Sequence, residues 1–470
     1  MTNAIVPLVL SLAACSTAAA QWTNLGGNAG RNGQSSSTGP AAPTPVWSTA
    51  PRSSIIAWAP CIEARRVFTV RQTGFPPEPG SNLSPIVAID LDTGQELWSR
   101  NIPFVSGDWT TWVGGVRNGR VYASRGGNGA SAAAPLYCLD ATNGNELWHT
   151  QEEIDSGAYD GVVFAPDGDP IIASFRFIWR FDAVTGARVW RTARLCSVSG
   201  NCGAAARLSG DGGAVYIADA VAGGHTIKRF DITTGAFEYQ SPVMPGFTLQ
   251  NNPMVSPDGT IYLSRSQNNA PVDSFYAIND SGSAMTIRWS TPCQWSTESE
   301  FGVGPDNSVY MFAPGNILQR RDPADGHVLQ ALDGPIAADF LQPHFAIDAA
   351  GKVFLSNGAF SNGRLFAFSP DLTPLWNVPV PNINIGGPAL AADGTLVVCG
   401  IGNDMRAYRT TFCPADFNHD GSVDFFDYDA FVICFEGGAC PPGTTADFDG
   451  DGTVDFFDYD AFVVAFETPC

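Results

Sequence analysis

A short unit recurs along the chain and limits what it can fold into. It reads apolar–apolar–Ala–apolar–Asp, then a Thr-Gly turn, then a hydrophobic stretch ending in Trp. The clearest copy is IVAIDLDTGQELW (86–98), followed by LYCLDATNGNELW (136–148) and IWRFDAVTGARVW (178–190). Weaker copies are IKRFDITTGAFEY (227–239), FYAINDSGSAMTIRW (275–289), ILQRRDPADGHVL (317–329) and LFAFSPDLTPLW (365–376). Each half alternates apolar and polar residues with period two, and the Gly supplies a positive-φ turn. The unit is therefore a β-hairpin.

A second signature precedes each hairpin: a polar turn, often Asp-Gly, then a β-branched or aromatic run. Members include NGRVYAS (118–124), SPDGTIYLS (256–264) and AADGTLVVC (391–399). Eight such strands run from Val67 to Leu396, about 47 residues apart. Trp-type ends fall at Trp47, Trp98, Trp148, Trp190, Tyr239, Trp289, Leu329 and Trp376. Trp47 has no preceding strand, and MRAYRTTF (405–412) has no following one. Pairing the two leftovers closes a ring and removes the exposed edge an open array would leave. The expected fold is an all-β, eight-bladed β-propeller over residues 21–412, followed by a small helical domain over 413–470. Abundant Gly (50) and Pro (34) suit such short strands and tight turns.

Ala88, Asp90, Thr93, Gly94 and Trp98 form the pattern A-x-D-x-x-T-G-x-x-x-W, which resembles the repeat of PQQ-type propellers. WTNLGGNAGRNGQSS (22–36) resembles the N-terminal lead-in of that family. The resemblance implies that the Trp residues pack between neighbouring blades. It also implies one of two roles, quinoprotein dehydrogenase or non-catalytic scaffold of the BamB outer-membrane assembly type. The dehydrogenases commonly use a pair of adjacent Cys residues, and this sequence has none. It has no G-x-S-x-G elbow and no H-E-x-x-H helix, and its five His are scattered. No catalytic residue is nominated, and these absences favour a binding scaffold over an enzyme.

Residues 1–20 form a short apolar run ending in small residues and read as an export signal, too short to span a membrane. Ala18-Ala19-Ala20 fits a peptidase site before Gln21. Leu12-Ala13-Ala14-Cys15 resembles a lipobox that would leave Cys15 as a lipid-bearing N-terminus. An exported chain permits disulfides among the remaining ten Cys. Cys196 and Cys202 flank a short loop, and Cys413, Cys434, Cys440 and Cys470 lie in or beside the tail.

The net charge of −21 argues against nucleic acid or anionic lipid as a partner. It is concentrated at the C-terminus: residues 413–470 hold eleven Asp, two Glu and no Lys or Arg. Within them, DFNHDGSVDFFD (416–427) and DFDGDGTVDFFD (447–458) match an EF-hand-type loop. Calcium needs six to eight oxygen ligands, which such a loop supplies from fixed positions. The expected ligands are Asp416, Asn418, Asp420, the Ser422 carbonyl, Asp424 and Asp427 in the first loop. In the second they are Asp447, Asp449, Asp451, the Thr453 carbonyl, Asp455 and Asp458. Two ions are thus expected. The twelfth position is Asp rather than Glu, and with the tandem spacing this resembles the type I dockerin family. Each loop leads into a short helix, 425–435 and 456–466, with Phe426, Ala430 and Ile433 expected on one packed side and Phe431 and Phe435 close by. So many carboxylates on so thin a core imply a tail that folds only with calcium.

In dockerins, loop positions ten and eleven contribute to cohesin recognition; here they are Phe425-Phe426 and Phe456-Phe457. Those rings either form a docking patch for a cohesin-like or cell-surface protein or pack inside the domain. The sequence reading is a secreted or cell-surface scaffold whose propeller binds a protein or glycan and whose tail docks or anchors it. Its rivals are a dockerin-borne polysaccharide-active enzyme and a quinoprotein dehydrogenase.

Overall fold

The computed structural model describes residues 22–49, 58–74, 83–104, 108, 110–126, 133–155, 161–195, 204–207, 213–245, 252–265, 274–294, 301–336, 344–358, 362–380, 383, 386–400, 405–410, 413–418, 423–441 and 444–468. The chain divides into two compact units. One comprises Met1–Gly39 with Pro45–Tyr408, the other Pro40–Thr44 with Arg409–Cys470.

The larger unit is an eight-bladed propeller: seven antiparallel sheets of four strands and one of five. Blade 1 shows the plan, running from inside to outside as Cys61–Glu63, Arg66–Val70, Ile86–Asp90 and Glu96–Arg100. The outer three strands are those legible in the repeat. The innermost strand was not, since in several blades it is two residues long, as in Val163–Phe164 and Met254–Val255. Ring closure follows the expected pairing. Pro45–Ser48 lies antiparallel to Arg406–Tyr408, with Trp47 opposite Ala407, and becomes the outer strand of blade 8.

The repeat motif has a local and a long-range purpose. Locally, Asp90 Oδ1 accepts the Asp92 amide (3.0 Å), the Thr93 amide (2.8 Å) and the Thr93 hydroxyl (2.9 Å), which shapes the turn. Asp182 and Asp231 repeat this arrangement. The Thr185 and Thr234 hydroxyls, with the turn amides, hold both carboxyls below their usual range. At long range, the Trp of one blade lies on the turn glycine of the next. Trp98 donates its indole N–H to the Ala141 carbonyl (3.1 Å), Trp148 to Ala183 (3.1 Å) and Trp190 to Ile232 (3.1 Å). Trp47 reaches Leu91 of blade 1 in the same way (2.8 Å), across the closure seam. A Cβ at Gly144 would stand 2.6 Å from the Trp98 ring, and one at Gly94 2.6 Å from Trp47. The glycine is thus required twice, by its φ of about +70° and by the neighbouring indole.

Between blades 4 and 5 the motif changes chemistry. Tyr239 stands in for Trp, and its hydroxyl donates to Asp280 Oδ1 (2.6 Å). Asp280 Oδ2 accepts from Tyr216 (2.6 Å) and Arg229 (2.8 Å). Burial alone would raise the Asp280 carboxyl, but the Tyr216, Tyr239, Gly282 and Arg229 donors outweigh it and hold it below its usual range. Apolar clusters fill the spaces between blades. One joins Ile171 and Ile178 of blade 3 to Val215, Ile217 and Phe230 of blade 4.

In the smaller unit, helix α1 (Phe425–Phe435) and helix α2 (Phe456–Glu467) pack Phe431 on Phe462, ring centroids 4.1 Å apart and nearly parallel. Here the structure corrects the expected helix face. Phe426 and Ile433 are exposed, and the buried residues of α1 are Asp427, Phe431 and Cys434. The loop sets this phase. Asp427, its twelfth residue, turns inward to accept the Asn418 amide and the Asp424 amide, both at 2.9 Å. Residues four and seven further on then face the core. Cys434 and Cys440 form a disulfide, and Cys413 is also disulfide-bonded. Cys196, Cys202 and Cys470 lie outside the described residues.

Among the described residues, no helix is long and apolar enough to cross a membrane.

Candidate functional site

The second acidic loop is described in full. Asp447, Asp449 and Asp451 each bring a carboxylate oxygen within 4.8 Å of the others. Asp447 Oδ2 accepts the Gly452 amide (3.0 Å), while its Oδ1 is shielded from solvent with no hydrogen-bond donor. Gly452, at φ +93°, makes the sharp turn at the sixth position. Asp458 is buried, its Oδ1 accepting the Phe448 amide (2.6 Å) and the Asp449 amide (3.0 Å), its Oδ2 the Asp455 amide (2.8 Å). The Asp455, Asp449 and Phe448 amides hold the Asp458 carboxyl below its usual range. Asp455 also caps α2 by accepting the Phe457 amide (2.8 Å), completing a reciprocal capping box with Asp458.

The electrostatics run the other way at the mouth of the loop. The Asp451 amide lowers the Asp449 carboxyl, but desolvation and the charges of Asp451, Asp458 and Asp447 outweigh it and leave it raised. A carboxylate oxygen without a donor beside mutually repelling carboxylates suits a hard cation, and this donor set is all oxygen. Asp447, Asp449, Asp451, Asp455, Asp458 and the Thr453 carbonyl are the residues that would hold it.

The first loop repeats the plan where it is described. Asp424 caps α1 through the Phe426 amide (2.8 Å), Asp427 is buried as Asp458 is, and Asp416 is buried beside Asn418. Asp420 and Ser422 lie outside the described residues. The Phe pairs at positions ten and eleven are exposed: 71% and 68% for Phe425 and Phe426, 71% and 67% for Phe456 and Phe457. Of the two arrangements the sequence left open for them, the structure has the exposed one.

Sequence reasoning did not foresee one further cluster, Asp322, Asp325 and His327, on the blade 6 turn. Its ligand atoms also lie within 4.8 Å of one another. It is explained without an ion, because Asp325 accepts from the His327 amide (3.0 Å) and pairs with His327 Nδ1 (2.6 Å). In the propeller, Cys61, Cys138 and Cys399 are buried, and burial pushes each thiol up to about 12. At neutral pH they are protonated core residues rather than nucleophiles.

No curated protein sequence matches the chain. Among solved structures, a quinohemoprotein alcohol dehydrogenase from Comamonas testosteroni is similar with a TM-score of 0.57 at 13% identity, covering 83% of this chain and 80% of that one. BamB from Moraxella catarrhalis gives 0.54 at 16% identity, covering 78% and 99%. The computationally designed Ika8 protein gives 0.52 at 13%, covering 78% and 99%. At these identities the likeness is one of fold, and it spans an enzyme, an assembly factor and a design. A family model described as outer membrane protein assembly factor BamB matches residues 84–332, more than half of the chain. The chain therefore belongs to this BamB-type repeat family.

Proposed function

We propose that the chain is a secreted or cell-surface, non-catalytic binding scaffold. In this reading the propeller presents a face to a protein or glycan, and the tail binds two calcium ions and docks or anchors the molecule. One observation carries it: Asp447, Asp449 and Asp451 bring carboxylate oxygens within 4.8 Å of one another, and Asp447 also has a shielded oxygen with no donor, in a loop the sequence repeats at 416–427. A calcium ion bound there would neutralise the repulsion felt by Asp449 and hold the loop closed on the capped helix. The family name, assembly factor, favours a protein over a small molecule as the propeller's ligand. The exposed Phe pairs favour a cohesin-like or cell-surface protein as the tail's partner.

Titration calorimetry on the chain from Gln21 onward tests the metal reading. Two saturable calcium sites are expected, with one lost in Asp447→Asn and the other in Asp416→Asn. Absence of saturable binding would refute it.

A further inference from the structure

The lead-in segment Trp22–Gly39 follows the inner wall of the propeller and meets the blades in their chain order. Trp22 O accepts the Ile62 amide of blade 1 (2.7 Å), and Thr23 O the Val116 amide of blade 2 (2.7 Å). Asn24 Nδ2 donates to Val162 O, beside the inner strand of blade 3 (3.0 Å). Ala29 O accepts the Ala206 amide of blade 4 (2.8 Å), Gly30 O the Val255 amide of blade 5 (2.8 Å), Asn32 O the Val303 amide of blade 6 (2.9 Å) and Gly33 O the Ile347 amide of blade 7 (2.7 Å). Ser37 Oγ donates to Ala392 O of blade 8 (2.8 Å). One stretch of chain thus meets all eight blades in turn, bonding to the inner strand, its flank or the turn that follows it.

The crossing points are built for this contact. A Cβ at Gly30 would lie 2.3 Å from the Val255 carbonyl oxygen, and one at Gly33 2.8 Å from the Phe345 oxygen. On the blade side, a Cβ at Gly115 would lie 2.9 Å from Thr23 O, and one at Gly394 2.2 Å from Thr38 O. Side chains reinforce the track: Asn32 Nδ2 donates to Val255 O (2.9 Å) and Gln34 Nε2 to Gly304 O (2.8 Å). Asn24, Arg31 and Asn32 are all buried.

The end of the ring reached is fixed by the partners. Gly304, Asp348 and Ala392 belong to turns joining the first and second strands of blades 6, 7 and 8, and all are bonded to the segment. In an antiparallel blade these turns share one rim with the Asp-x-x-Thr-Gly turns. We propose that Trp22–Gly39 is a strap across that mouth of the central channel. It closes the mouth and couples the eight blades, so a ligand of the channel enters from the opposite rim. The outer strand Pro45–Ser48 and the strap are then two separate closures, one at the perimeter and one at the axis.

The test is hydrogen exchange with mass spectrometry on the chain from Gln21 and on a variant lacking residues 22–39, which keeps Pro45–Ser48 and hence blade 8. Loss of the strap is expected to speed exchange of the Ile62, Val116, Ala206, Val255, Val303 and Ile347 amides about tenfold or more. Outer-strand amides such as that of Trp98 should change little. In the intact chain, Gly30→Ala should speed exchange at Val255 and its neighbours while the protein stays folded. Unchanged inner-strand protection in both variants would overturn the strap. So would fast exchange of those six amides in the intact protein.

Discussion

If the indole of one blade is clasped by the glycine of the next, adding a methyl group at that glycine must cost more than the backbone alone explains. Blade 2 contains the comparison. Gly144 and Gly119 both have φ +73°, so Ala at either position meets the same left-handed penalty, about 1–2 kcal/mol. At Gly119 an added Cβ meets nothing within 4 Å. At Gly144 it would lie 2.6 Å from Cε3 and 2.8 Å from Cδ2 of Trp98. That ring has little room to retreat, tied at one end to Ala141 O and packed at the other against Phe68. Overpacking of this kind adds about 1–3 kcal/mol. Gly144→Ala should therefore lose about 2–5 kcal/mol and Gly119→Ala about 1–2 kcal/mol. Guanidinium unfolding followed by Trp fluorescence measures both, and all twelve Trp lie at or before Trp376, so the signal reports the propeller. Equal losses in the two variants would refute the clasp.

Tyr239→Phe removes a hydroxyl donor from a buried carboxylate and should cost about 1.5–3 kcal/mol in the same assay. The Asp280 carboxyl is held below 3.8 in the folded state, so its contribution is complete above that value and is lost as pH falls through the lower folded value. Stability of the native chain should thus drop below about pH 4 more steeply than that of Tyr239→Phe, as acid titration of the unfolding midpoint would show. Ala64 and Arg65 occupy consecutive left-handed positions, φ +47° and +61°, so Ala64→Asn should stabilise the propeller by up to about 1 kcal/mol. A chelator should lower the far-UV helical signal of the tail and leave Trp-detected unfolding unchanged.

The parts of the fold that were legible are those whose determinants lie close together in sequence. Asp90, Thr93 and Gly94 form a turn among themselves, and Trp98 is four residues further on, so hairpin, blade count and closure by Trp47 all followed from pattern. The inner strands obey no local rule. Val163–Phe164 is a strand because Pro170–Ala173 pairs with it, and two apolar residues cannot announce a period. The route of the lead-in has no local sign for the same reason: Asn32 and Ser37 find their partners 223 and 355 residues away.

The tail shows the opposite relation between pattern and structure. The ligand positions proposed for it rest on spacing alone, because a metal loop would fix its donors by chain position. Helix spacing then assigned the wrong face, with Phe426 and Ile433 on the packed side. The loop reverses this. Asp427 must reach back to the Asn418 and Asp424 amides, and one such polar commitment sets the rotation of the whole helix. Phe426 is left exposed, as Phe457 is in the second copy. Two independent copies with the same exposed aromatic argue that the loop geometry, rather than a packing accident, puts it there. That makes the Phe pairs a surface presented by the loops, and ties their orientation to whatever holds those loops closed.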